Sequence, residues 1–295
     1  MEYEDIAYEV KDGVATLELN RPSHLNAFTA GMVGEVLSAI DAADRDDDVR
    51  VMILTGRGRA FSAGADLSAG AQTFDYDDER SGDAVGAERV ANAAAPRDGC
   101  GRITLRLFDC KKPVIAAVNG PAVGMGATML LAADIRLASD SARFGFVFTR
   151  RGIAPEGASA WFLPRVVGIS QAAEWLFTGR LFDAAEALAA GLVRSIHPGE
   201  ELLADAQGLA AEIAEAAPVS VALTRQMLWR MLGADHPMAA HRADSRAVYA
   251  TGAGPDAREG VMSFLEKRPP HFTGRVSKDL PDIFPDWQRP EYFSC

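Results

Sequence analysis

Cysteine is scarce in this chain, which carries three cysteines among 295 residues. An odd number without metal-ligand spacing argues against a disulfide framework and indicates reduced thiols. The five histidines form neither a metal-binding pattern nor a triad with a serine and an acid. We therefore expect no metal site. The residues concerned are Cys100, Cys110, Cys295, His24, His197, His236, His241 and His271.

Positive charge and long apolar runs are also scarce. Lysine and arginine number 30 against 41 acidic residues, and the formal net charge is −11, which argues against a nucleic-acid or anionic membrane surface. No stretch reaches about 18 uninterrupted apolar residues, and the acidic first residues lack the apolar segment of a secretory signal. We expect a cytoplasmic protein with neither nucleic acid nor membrane as partner. Its 48% hydrophobic residues allow a sizeable core.

Two common motifs are missing as well. The chain has no G-K-[ST] phosphate loop and no Rossmann glycine fingerprint after its first strand. Ser62 lies outside a nucleophile elbow, with no histidine near it in the sequence. A nucleotide-binding fold and a serine hydrolase therefore have little support.

Alternating strands and helices fill the first part of the chain. Short alternating runs at 6–10 and 14–19, separated by a turn, predict a hairpin. A 3.6-residue apolar period predicts a helix around 33–40, and a buried strand follows at 51–55. Similar units recur through residue 138, which predicts βαβ units and a mostly parallel sheet. A last short strand is expected at 192–196, and helical patterns dominate from 199 onward.

A glycine-rich turn links a strand at 114–118 to an apolar helix that ends near Ala133. Gly124, Met125 and Gly126 open that helix. The N–H groups at a helix start lack partners and lie at the positive end of the helix dipole. They can bind a phosphate or a carbonyl oxygen that becomes negative during reaction. Taken alone, the turn is equally well explained as a packing corner.

A second turn of similar character, AFSAGADL at 60–67, follows the strand at 51–55. Together with AAVNGPAVGMGAT it resembles the crotonase superfamily, the enoyl-CoA hydratase/isomerase family, over nearly the whole chain. The resemblance implies an α/β fold, the crotonase (ClpP-like) spiral of ββα units, over 1–199. It implies a helical trimerisation region with an extended tail over 200–295, and a homotrimer or dimer of trimers. It also implies that the N–H groups of Ala65 and Met125 form an oxyanion hole for an acyl-CoA thioester.

Three positions of the family can carry a catalytic carboxylate. Hydratases of the family have Glu at two of them, where this chain has Thr128 and Phe148. At the third, Glu156 lies in RGIAPEGAS, which resembles the P-E-x-x-S loop of 3-enoyl-CoA to 2-enoyl-CoA isomerases. There a single Glu takes a proton from carbon 2 and returns one to carbon 4. An apolar pocket would raise its pKa, and the candidates to form it are Phe146, Phe148, Trp161 and Phe162. We assign Thr128, Phe148 and Trp161 to the substrate pocket.

Recognition of the substrate also follows from the resemblance. Coenzyme A enters as part of the thioester substrate, and no tightly bound cofactor is implied. The Ala63 carbonyl would meet the adenine, Arg21 and His24 flank the first turn, and the F-x-x-K-R motif places Phe264 near the adenine and Lys267 near the phosphate. An exposed basic helix end explains that last motif as well. The segment 68–101 would cover the acyl chain, and an acid in it, Asp75, Asp77, Asp78 or Glu79, could swing over the substrate.

Several functions stay open at this point. The residues favour isomerisation of an enoyl-CoA with Glu156 as the base, although a carboxylate at a helix start can simply complement the helix dipole. Hydration of an enoyl-CoA is second, with a lid acid as the other carboxylate. A non-catalytic acyl-CoA-binding or scaffolding protein is a third possibility. Thioesterase-like or dehalogenase-like chemistry is another.

Overall fold

Strands and helices alternate up to about residue 200, and helices follow. The computed structural model describes residues 3–77, 83–91, 93–288 and 290–292. The strands are β1 Ile6–Lys11, β2 Val14–Leu19, β3 Val51–Gly56, β4 Val114–Val118, β5 Ala122–Val123, β6 Ile135–Ser139, β7 Arg143–Gly145, β8 Leu181–Asp183 and β9 Ser195–His197. The helices are α1 Ala30–Arg45, α2 Gly99–Asp109, α3 Met125–Met129, α4 Ser159–Val167, α5 Ile169–Thr178, α6 Ala184–Ala189, α7 Leu202–Ala214, α8 Pro218–Met231, α9 Pro237–Gly252, α10 Pro255–Glu266 and α11 Val276–Asp279.

The main sheet has six strands in the order β1-β2-β3-β4-β6-β9. β1 and β2 form the predicted antiparallel hairpin, and every other neighbouring pair is parallel. Both the hairpin and the mostly parallel sheet are thus confirmed. All residues of β3 and β4 are buried, as expected where helices cover both faces of a parallel sheet.

The two faces of this sheet contribute to different cores. Met52 and Leu54 of β3 belong to the large core that includes residues of α1 and α2. Val51 and Ile53 point the other way and pack with α7 residues such as Ala206. The period of two along a strand produces this division. Among the described residues, no helix is both long and apolar enough to cross a membrane.

A small second sheet carries one of the glycine turns. β5 pairs in parallel with β7, and β7 pairs antiparallel with β8. The amide of Gly124, directly after β5, donates to the carbonyl of Gly145 at the end of β7, 2.8 Å away. α3 therefore starts from a point that the small sheet fixes.

The helices after α7 have a core of their own. Val219 and Leu223 of α8 pack with Ala243 and Ala247 of α9 and with Ile283. α7 packs on the main sheet instead. The division of the chain at residue 199 stays a prediction.

The structure differs from the predictions at two elements. The helix expected to run to Ala133 is α3 followed by a 3₁₀ turn at 130–132. The last strand begins at Ser195 rather than at Leu192, because the amides of Leu192 and Val193 bond to the Ala187 carbonyl and close the end of α6. α6 begins with a side-chain cap, in which the Asp183 carboxylate accepts from the Glu186 amide at 2.9 Å.

Candidate active site

The two glycine turns lie side by side. The amide of Ser62 donates to the carbonyl of Pro121 at 3.0 Å, and the amide of Val123 donates to the carbonyl of Ser62 at 2.9 Å. A Cβ atom added to Gly64 would lie 2.7 Å from the Val123 carbonyl oxygen and 3.6 Å from the Met125 nitrogen. Gly64 also has a φ of +96°, which favours glycine. Only a residue without a side chain allows this approach.

Each turn presents one unpaired amide at this junction. The neighbours of Ala65 are bonded across to Phe28: the Phe28 amide donates to Gly64, and the Asp66 amide donates to Phe28. Met125 is the first residue of α3, where an amide has no intrahelical acceptor. The amides of Ala65 and Met125 form no hydrogen bond with any acceptor in the described part of the chain. Met125 is buried and Ala65 half-buried, so the pair is shielded from most solvent.

Glu156 lies in a loop clamped between α2 and α3. The amide of the next residue, Gly157, donates to the Oδ1 atom of Asp98 at 3.1 Å. A Cβ on Gly157 would lie 2.6 Å from both the Sγ atom of Cys100 and the Cγ2 atom of Thr128. Cys100 belongs to α2 and Thr128 to α3, the helix that Met125 begins. Gly157, the residue after Glu156, is therefore packed against the helix that Met125 begins.

The surroundings of Glu156 favour its protonated form. Loss of water around the half-buried carboxyl, together with the negative charge of Asp98, raises the pKa of Glu156 to about 8, while a hydrogen bond from Cys100 opposes this. Burial and the same carboxyl groups raise the pKa of the Cys100 thiol well above its ordinary value and that of Tyr76 to about 12. Both stay neutral near pH 7. Because its own pKa is about 8, Glu156 can take up or release a proton near neutral pH.

Neither of the two positions where hydratases of the family carry Glu has a carboxylate here, since they are occupied by Phe148 and Thr128. Phe148 is buried, and the buried hydroxyls of Thr128 and Ser159 have no hydrogen-bond partner among the described residues. Trp161 packs edge-to-face on Phe162, with ring centroids 4.8 Å apart.

Phe146, which we expected in the Glu156 pocket, belongs to a different aromatic cluster. Its ring stacks on Trp175 and on Phe182. Asp98, Cys100 and Tyr76 are the described titratable groups that interact electrostatically with Glu156.

Arg21 points into the protein around the first turn. Its guanidinium pairs with Asp5 at 3.3 Å and with Asp66 at 3.1 Å, and it also donates to the Ala27 carbonyl. Hydrogen bonds from Ser68 and Arg21 hold the pKa of Asp66 below its ordinary value, even though partial burial opposes this. These contacts brace the turn. A role of Arg21 in binding the substrate stays a prediction.

The other predicted binding residues are exposed. Ala63 and His24 lie on the surface at the first turn, where the Nδ1 atom of His24 is 3.0 Å from the Ser23 hydroxyl. Phe264, near the end of α10, is 82% exposed, and Lys267 ends that helix in the left-handed conformation. A large apolar ring left so open is available to a ligand or a neighbouring subunit.

Among the described residues of the segment 68–101, Asp98 is an acid whose charge acts on Glu156. Asp75 and Asp77 are exposed, and Asp77 pairs with Arg89 at 2.9 Å; Asp78 and Glu79 lie outside the described residues. Sequence reasoning missed Asp98, Cys100 and Tyr76 as neighbours of Glu156. An aspartate before an amphipathic helix signals a helix cap, but nothing local links that cap to residue 156.

Comparisons with known proteins identify the family of this chain. The family described as Enoyl-CoA hydratase/isomerase matches residues 9–275. The enoyl-CoA hydratase ACTT3 of Alternaria alternata is 38% identical over 263 residues, which cover 88% of this chain and 83% of that protein. The 1,2-epoxyphenylacetyl-CoA isomerase of Escherichia coli K12 is 35% identical over 278 residues, 92% of this chain and 99% of the relative. The crystal structure of an enoyl-CoA hydratase from Bacillus anthracis superposes with a TM-score of 0.81 at 29% identity, covering 92% of this chain and 100% of that one.

The spiral core with its two apposed turns is the crotonase fold. The chain belongs to the enoyl-CoA hydratase/isomerase family and is an enzyme of that family, which acts on coenzyme A thioesters.

Proposed function

We propose that this enzyme moves the double bond of an enoyl-CoA from carbon 3 to carbon 2, with Glu156 as its single base. One observation carries the proposal. Glu156 has a pKa of about 8 next to the helix that Met125 begins, whereas Thr128 and Phe148 stand where the hydratases of the family have Glu.

The amides of Ala65 and Met125 would donate to the thioester oxygen and stabilise the negative charge that develops there. One such donor contributes about 3 kcal/mol to stabilisation of a transition state. Stabilisation of this charge lowers the pKa of the proton on carbon 2. Glu156 takes that proton, which gives a dienolate and a neutral carboxyl. The same carboxyl then returns a proton to carbon 4, which regenerates the carboxylate and leaves a 2-enoyl-CoA. A group with a pKa near 8 suits both transfers.

Hydration of a 2-enoyl-CoA is a second candidate, and Asp98 supports it. Its carboxylate is the second acid beside Glu156, as a reaction that holds and splits a water requires. The hydratase of Alternaria alternata is 38% identical to this chain, slightly more than the isomerase of Escherichia coli at 35%. Against hydration, the Oδ1 atom of Asp98 already accepts two backbone hydrogen bonds.

Substrate binding and assembly complete the proposal. We expect the coenzyme A part of the substrate to contact Ala63, His24, Phe264 and Lys267. The chain would form a trimer or a dimer of trimers through its C-terminal helices, on which several large apolar side chains are exposed, among them Leu228, Val248, Tyr249, Val261 and Leu265.

The test compares two substrates and two variants. Purified protein is given 3-hexenoyl-CoA, with formation of 2-hexenoyl-CoA followed, and separately crotonyl-CoA, with hydration followed. We expect the first reaction to be the faster, and Glu156→Gln to abolish it. Glu212→Gln, which changes an exposed carboxylate on α7, is the matched control and should retain full activity. Faster hydration would favour the second candidate, and no turnover of either substrate would favour a binding protein.

A further inference from the structure

Asp98 connects two segments at the candidate site through a single oxygen atom. It is the residue before α2, and its Oδ1 atom accepts from the amide of Gly101 at 2.6 Å, as a helix cap does. The same atom accepts from the amide of Gly157 at 3.1 Å. The start of α2 and the loop of Glu156 are therefore held together by one carboxylate.

The first turn of α2 also contacts the other half of the site. The Sγ atom of Cys100 lies 3.7 Å from the carbonyl oxygen of Met125. The space beside Gly157 is filled by Cys100 and Thr128. A displacement of the Glu156 loop is thus resisted from α2 on one side and from α3 on the other.

Three titratable groups face Glu156 within the described chain: Asp98 and Cys100 from α2, and Tyr76 from the segment before it. The thiol and the phenol are neutral near pH 7, because burial raises the pKa of each. Asp98 is the neighbour whose negative charge acts on the Glu156 carboxyl.

We propose that Asp98 is a positioning residue for Glu156: it fixes the catalytic loop against α2 and acts on the Glu156 carboxyl through its negative charge. The inference rests on the proposed function, in which Glu156 is the base. In this role Asp98 acts through Glu156 and not on the substrate. Because the same carboxylate caps α2 and lies beside Glu156, a change at Asp98 affects both the position of the Glu156 loop and the proton affinity of Glu156.

Two substitutions separate these effects. Asp98→Asn keeps an oxygen that can accept both backbone hydrogen bonds and removes the charge. Asp98→Ala removes both. Asp183→Asn is the matched control, because Asp183 caps α6 in the same way and is not among the groups that face Glu156.

The first measurement is independent of turnover. The Glu156 carboxyl is titrated by ¹³C NMR in protein labelled at glutamate, its resonance assigned by its loss in Glu156→Gln. Removing a negative charge makes a nearby carboxyl easier to ionise, so Asp98→Asn should lower the Glu156 midpoint by about one pH unit. Asp183→Asn should leave the midpoint where it is.

The second measurement is the pH profile of isomerisation. In Asp98→Asn the rising limb should move to lower pH, with kcat at high pH reduced less than about fivefold because a weaker base remains in place. Asp98→Ala should lose at least about another tenfold in kcat, because the loop is no longer held. An unmoved Glu156 midpoint in Asp98→Asn, or equal kcat values in the Asn and Ala variants, would overturn the proposal. Absence of turnover in the unmodified protein would instead defeat the proposed function, and the NMR titration would still decide the role of Asp98.

Discussion

The α-carbon of Gly64 faces the carbonyl oxygen of Val123 so closely that a methyl group there would lie 2.7 Å from that oxygen. The two residues belong to the two turns that carry the amides of Ala65 and Met125. Close contact at this point holds the two turns together. The substitution Gly64→Ala, which adds one methyl group, tests the importance of this contact directly.

Gly64→Ala should separate the turns and lower kcat by about a hundredfold, the effect of losing one donor to an oxyanion. The variant should also be less stable, because its φ of +96° is unfavourable for alanine. Gly208→Ala is the control: Gly208 is exposed on α7 with open space around it, and alanine there should stabilise the helix by about 1 kcal/mol. Enoyl-CoA turnover and thermal unfolding of both variants check the prediction. Near-normal kcat in Gly64→Ala would show that the contact does not set the amides.

The pH dependence of isomerisation should follow the ionisation of Glu156. Only the carboxylate can take the proton from carbon 2, and the pKa of this group is about 8. We therefore expect kcat/KM to rise with pH, with a midpoint near 8, and to fall about tenfold for each unit well below it. Initial rates between pH 5.5 and about 9.5 measure the profile. A midpoint near 4.5, the ordinary value of a glutamate, would mean that another environment surrounds the base in solution.

Glu156→Gln should change stability in a pH-dependent way. The folded protein holds the Glu156 proton more tightly than the unfolded chain does, because the pKa is raised from 4.5 to about 8 on folding. The parent protein therefore loses free energy of unfolding as the pH rises through this interval, and glutamine does not share that loss. Urea unfolding should find the variant more stable than the parent at pH 9, with the difference nearly gone at pH 4.5. Equal stability differences at both values would contradict the raised pKa.

Lys267→Ala should weaken binding of the nucleotide end of the substrate. Loss of a contact between an ammonium group and a phosphate is worth about 1.4 kcal/mol, or about tenfold in KM, with kcat unchanged. The same variant should show no loss towards an acyl-pantetheine thioester, which lacks the nucleotide. Lys278→Ala, at another exposed lysine on α11, should leave both substrates unaffected. An equal effect on both thioesters would place Lys267 away from the phosphate.

The elements that sequence reasoning predicted well are those with a local cause. A turn and the alternating runs around it suffice for the β1–β2 hairpin. Gly64 and Gly124 marked the two turns because close backbone approaches need glycine.

What escaped prediction depends on contacts between distant segments. Asp98 reads as a cap of α2, yet its second bond is to Gly157, 59 residues later. Leu192 and Val193 have the composition of a strand but close a helix. Phe146 belongs to an aromatic stack with Trp175, whose position follows from the packing of α5. Periodicity along the chain contains none of this information.

The central strands separate two of the cores in the described part of the chain, one on each face of the main sheet. The core formed with α1 and α2 includes Cys100 and Met125, whereas Ile53, Ile115 and Ala117 belong to the core that α7 covers. Repacking the α7 side therefore offers a route to a more heat-resistant enzyme that leaves the catalytic half undisturbed. Directed evolution for heat resistance would vary residues on the α7 side. Selection for new acyl groups would vary residues on the opposite face of the sheet.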